Sequence, residues 1–132
     1  MTEPLVARGP FQVTRVAVPA AFEKASLGRH SLDKVFSGDL EATSLGEMIS
    51  AGGSVPGSAG YVAMERVTGT LHSRSGAFVL QHSATMDRGT PTLTITVVPD
   101  TGTDALTGLS GSMRIMNEKG QHSYEFEYSI KP

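Results

Sequence analysis

The sequence predicts an all-β fold: a closed antiparallel barrel of eight strands, mostly an up-and-down meander. Three observations lead there. Runs rich in β-branched and aromatic residues recur along the chain, each bounded by Gly, Ser, Asp or Pro clusters. Fifteen Gly and seven Pro among 132 residues demand many turns, and no window holds enough helix formers for a long helix. The runs are evenly spaced with hairpin-like connections, and closing such a meander removes its two exposed edges. A sandwich of two sheets is the alternative architecture.

Taken in order, Phe11 to Val18 alternates weakly and stops at Pro19, which cannot donate to a central ladder. Ala20 to Leu27 offers one helical turn or an extended link. From His30 to Ala42, Leu32, Lys34, Phe36 and Leu40 share one parity, which predicts a second strand with Phe36 and Leu40 inward. Thr43 to Ser50 returns as a third strand, with Leu45, Met48 and Ile49 supplying apolar contacts. The Gly-rich stretch 50–60 is too poor in anchoring side chains to pack, and is either a plain surface loop or a lid.

The centre of the chain carries the strongest signal. Gly60 to Leu71 is a strand, a turn falls at Ser73 to Ser75, and Phe78, Leu80, His82, Ala84 and Met86 then occupy one face of the next strand. Leu93, Ile95 and Val97 alternate with threonines up to Pro99. Pro99 to Asp104 is a turn, Leu106 to Met116 a strand, and Asn117 to Gly120 a hairpin loop. In the last strand His122, Tyr124, Phe126, Tyr128 and Ile130 share a face opposite Glu125 and Glu127. Burying two carboxylates costs far more than solvating them, so the aromatic face goes inside.

Composition narrows the chemistry. The length fits a single β-barrel domain over residues 1–132. Eleven Lys and Arg against thirteen Asp and Glu, with no basic run, disfavour nucleic-acid binding. Cysteine is absent, which removes disulfides, thiolate ligands and a Cys nucleophile. No stretch reads as a signal peptide or a membrane span, so a cytoplasmic protein with no membrane partner is expected.

Strand parity singles out His82 and His122 on apolar, inward faces beside Tyr124 and Tyr128. Each is either a proton-transfer or ligand-anchoring group, or a core histidine hydrogen-bonded to tyrosine or backbone. Glu65 and Arg66 are adjacent, so one of them approaches the interior. An inward Glu65 would pair with His82 as acid and base; otherwise Glu65 caps the barrel end beside a partner such as Arg114. His-X-His and Glu-X-X-His spacings are missing, so no metal or other cofactor is expected. No Gly-X-Ser-X-Gly elbow occurs, and Ser83 faces away from His82, which argues against a hydrolase. Thr101-Gly-Thr-Asp104 lacks the Lys and the following helix of a phosphate cradle and reads as a turn.

Several stretches resemble a bacterial family known as domain of unknown function 3224. They are Phe36-Ser-Gly-Asp-Leu-Glu41, Glu65-Arg-Val-Thr-Gly69, Gly76-Ala-Phe-Val-Leu-Gln-His82, Val98-Pro-Asp-Thr-Gly-Thr103, Leu106-Thr-Gly-Leu-Ser-Gly111 and His122-Ser-Tyr-Glu-Phe-Glu-Tyr128. The chain departs from the family pattern at Thr101, where Ser is favoured, and at Asp104, where a second Gly stands. The resemblance implies a small barrel similar to the allene oxide cyclases and related in outline to lipocalins. It implies no reaction, because likeness of fold alone carries none.

The leading expectation is a barrel that binds an apolar or aromatic small molecule. Phe78, Leu80, Phe126 and Tyr128 would form its walls, and His82, His122 and Tyr124 its polar anchors. Two alternatives stand beside it. One is an isomerase or cyclase in which His82 or His122 moves a proton and Glu65 orients it. The other is a self-filled barrel acting through its outer surface, as a homo-oligomer or with a partner.

Overall fold

The computed structural model describes residues 4–132. Eight strands, β1 (Leu5–Ala17), β2 (Gly28–Phe36), β3 (Leu40–Gly52), β4 (Ala59–Leu71), β5 (Arg74–Asp87), β6 (Thr90–Val97), β7 (Leu109–Glu118) and β8 (Gln121–Ile130), follow one another around a closed barrel. Closure comes from β1, which pairs antiparallel with β2 along one edge and with β8 along the other, from Leu5↔Tyr128 to Phe11↔His122. The expected up-and-down barrel is therefore what forms, and the sandwich is not. No described helix is long and apolar enough to cross a membrane.

Five local expectations change. The first strand, expected from Phe11, begins already at Leu5, and the added residues make the pairing with β8 that closes the barrel. The strand expected from His30 to Ala42 is cut at Phe36 by a turn through Gly38, whose φ of +88° suits glycine, and β3 already begins at Leu40. Ser37 N–H donates to the Pro10 carbonyl and Asp39 N–H to that of Arg8, which pins the turn to β1. In β3 the inward positions are small or polar, Ala42 and Ser44, before Met48, so Leu45 and Ile49 point outward; Leu45 is 70% exposed. The Gly-rich connection shrinks to 53–58, because β3 and β4 remain paired as far as Gly52↔Ala59. Leu106 belongs to a 3₁₀ turn, Asp104–Leu106, and plugs the barrel end, so β7 starts only at Leu109.

Other expectations hold. Ala20 to Leu27 contains a single 3₁₀ turn, Glu23–Ala25. The loop after β6 is a structural turn: Thr101 Oγ1 accepts from Val79 N–H, and Thr103 Oγ1 accepts from Ala77 N–H. Asp104 adopts a left-handed φ of 53°.

The interior divides into layers. The larger apolar cluster fills one end and includes Phe36, Leu40, Leu71, Phe78, Leu80, Leu106, Phe126 and Tyr128. Phe78 stacks on Phe126 at 5.8 Å between ring centroids, and Phe126 on Tyr128 at 5.3 Å. A second, small cluster of Leu32, Met48 and Ala63, with Tyr61 against it, lies towards the other end. Between them sit the four polar side chains that are buried among the described residues: Lys34, Ser44, Glu65 and His82.

Candidate functional site

The polar layer is built by strand register. Lys34 on β2 lies opposite Ser44 on β3, Gly46 on β3 opposite Glu65 on β4, and Ala63 on β4 opposite His82 on β5. Period-two alternation directs all these side chains inward. Gly46 makes the room, since a Cβ there would lie 2.7 Å from the Cβ of Glu65.

Glu65 is the centre of the layer and only 1% exposed. Its Oε2 accepts from Lys34 Nζ at 2.8 Å and pairs with His82 Nε2 at 2.5 Å, while Oε1 accepts from Ser44 Oγ at 2.8 Å. Burial opposes ionisation of this carboxyl. The hydrogen bond from His82 and the charge of Lys34 outweigh it, and the group is held at about 2. An ionised carboxylate can only accept, so His82 Nε2 carries the proton in this pair. The Lys34 ammonium also lies 5.3 Å from the centre of the Phe11 ring and 5.9 Å from that of Phe36.

Above this layer the barrel is open. A cavity of about 480 Å³ is lined by Phe11, Val13, Arg15, Leu32, Lys34, Met48, Tyr61, His82, Leu93, Ile115 and His122. His122 is half-buried with its ring 5.2 Å from that of Phe11, and Arg15 is exposed at the mouth. Burial and the Glu65 charge raise the Tyr61 phenol above its ordinary value, so it remains a hydroxyl donor at neutral pH.

The structure thus brings His82 and His122 to one cavity, with Glu65 bound to His82 beneath its lining. Tyr124, Phe78, Leu80, Phe126 and Tyr128 lie elsewhere, in the packed end. The Tyr124 hydroxyl donates to the Ser37 carbonyl at 2.6 Å and accepts from Leu40 N–H at 2.8 Å, and the Tyr128 hydroxyl pairs with His72 Nδ1. Glu65 does not cap a barrel end, and Arg114 instead binds Glu125 on the outer wall, together with Arg8. Lys34, Ser44 and Tyr61 were missed as site residues. Parity does put Lys34 in line with Leu32 and Phe36, but lysine is so seldom buried that its place in the pattern reads as solvent-facing. No cluster of three or more His, Asp or Glu suited to a metal occurs among the described residues.

A second concavity of about 720 Å³ lies where residues 20–27 stand off the outer wall of β3 to β5, among Phe22, Leu27, Ile49, Val62 and Met64. It borders His82, but Lys34, Tyr61 and His122 belong to the lumen alone. Size favours the groove, yet the buried charged chemistry faces the lumen, so the lumen is the better candidate.

Fold and site together define a closed, eight-stranded meander barrel, filled at one end and hollow at the other, with a Lys–Glu–His cluster at the base of the hollow. The chain belongs to the family described as Protein of unknown function (DUF3224), which it matches over residues 7–128. A crystal structure of a DUF3224 member from Shewanella oneidensis MR-1, described as a protein with unknown function, is 47% identical. It aligns with a TM-score of 0.93 over 98% of this chain and 100% of that one. No curated protein matches the chain.

Proposed function

We propose that this protein binds a small, largely apolar or aromatic molecule in the open half of its barrel. One observation carries the reading: a cavity of about 480 Å³ ends on buried, charged side chains instead of on packed apolar ones. Ligand sites combine an apolar wall with a few fixed polar groups, and the cavity has that balance. Leu32, Met48, Leu93 and Ile115 supply apolar wall, while Lys34, His82, His122 and Tyr61 supply anchors.

The test is titration with a neutral fluorophore, phenylnaphthylamine, against three proteins. Wild type binds it, Met48→Trp loses binding because the indole fills the lumen, and Met64→Lys, altered only on the outer wall, keeps it. Binding that survives Met48→Trp and disappears in Met64→Lys would move the site to the outer groove and overturn the reading.

The short His82–Glu65 contact favours one second reading, an isomerase or cyclase. With Nε2 held protonated by Glu65, Nδ1 of His82 would be the base that takes a proton from a ligand carbon. Such an enzyme would exchange deuterium into a bound ketone, and His82→Ala would slow that exchange by orders of magnitude. A pure binder would change only in affinity.

A further inference from the structure

We infer that the lumen ligand is an organic anion, an apolar body bearing a carboxylate, with its head group at Lys34; this rests on the lumen being the binding site. The lining carries two cations, Lys34 and Arg15, with two histidines and a tyrosine as further polar groups, and no carboxylate. The one acid nearby, Glu65, lies beneath the lining and has both oxygens engaged by Lys34, His82 and Ser44.

Lys34 has donors to spare. An ammonium offers three N–H groups, and Glu65 is its sole acceptor among the described residues, although the side chain is only 6% exposed. A buried donor without an acceptor is costly, and the faces of Phe11 and Phe36 compensate only in part. A ligand carboxylate would accept from the remaining N–H groups in charge-assisted hydrogen bonds. The Tyr61 hydroxyl and the Arg15 guanidinium, on the same lining, add donors nearer the mouth. A cationic ligand would meet Lys34 and Arg15 with no carboxylate on the wall to offset them.

The test compares naphthoate with naphthalenemethanol, which share the ring system and differ in charge, by following the ring-proton resonances of His82 and His122. Naphthoate should bind at least about tenfold more tightly. Lys34→Met alone would strand the Glu65 carboxylate and endanger folding, so the decisive variant is Lys34→Met/Glu65→Gln, in which Gln can still accept from His82 Nε2. There the ratio should fall to near one. A wild-type ratio near one overturns the anion assignment, and a preference that survives in the double variant overturns the placement of the head group at Lys34; either result leaves the lumen a binding site. If neither compound moves the two histidines, both the assignment and the binding reading fall.

Discussion

At Glu65 a carboxylate is buried to 1% exposure and still ionised, because His82 and Lys34 together outweigh its desolvation. Its pKa falls from an ordinary 4.5 to about 2, so the folded state releases this proton more readily than the unfolded chain. The sign follows: the stabilisation is complete above about pH 4.5 and is lost as pH falls through about 2. It amounts to something on the order of 3 kcal/mol. Acid titrations of unfolding free energy should therefore steepen between those values in wild type and flatten in Glu65→Gln; an equal slope in the two proteins would contradict the pairing. How much of this was legible depended on the residue. Adjacency of Glu65 and Arg66 forces one of them inward, and a carboxylate beside His82 was one of the two arrangements it allowed. The Lys34 partner was not legible, because nothing local distinguishes a lysine that finds a buried carboxylate across two strands from one that faces water.

Among the elements, β3 shows how a strand makes space for a site. Its inward row runs Leu40, Ala42, Ser44, Gly46, Met48, and the small residues stand where Lys34 and Glu65 need volume. A Cβ at position 46 would sit 2.3 Å from the Met64 carbonyl oxygen as well as against Glu65. Gly46→Ala should therefore lose about 1–3 kcal/mol in urea denaturation. Gly52→Ala, where a Cβ meets nothing within 4 Å, should change stability little, and equal losses at both positions would contradict the close-approach account. The same small inward residues explain why β3 was hard to read. With the bulk of Leu45 and Ile49 on the outer face, apolarity no longer marks the inside, whereas β5 and β8 put large side chains inward and were legible, apart from Met86, which is exposed at the end of β5. The Ser37-Gly38-Asp39 turn was passed over because the parity of Leu32 to Leu40 runs across it unbroken.

For the whole molecule, the division of the interior is the decisive feature. The packed end absorbs most of the large aromatic side chains, including all four, Phe78, Tyr124, Phe126 and Tyr128, that the sequence offered as walls or anchors. Strand alternation says which side chains enter a barrel, but not how far along the axis each one lies, and only the register between strands supplies that coordinate. Hence parity brought the two histidines to one cavity, while Phe78, Leu80, Phe126 and Tyr128, expected beside them, lie in the packed half. The hollow end then follows from the register: Leu32, Met48, Ala63 and Tyr61 form a thin cluster that leaves the mouth open above the charged layer.

The most direct measurement is a crystal structure of the wild-type protein soaked with naphthoate. The account predicts the ring system between Leu32 and Ile115, with the carboxylate within hydrogen-bond distance of Lys34 Nζ and the Lys34–Glu65–His82 cluster intact. Naphthoate seated only in the outer groove by Phe22 and Val62, above an unoccupied lumen, would contradict it.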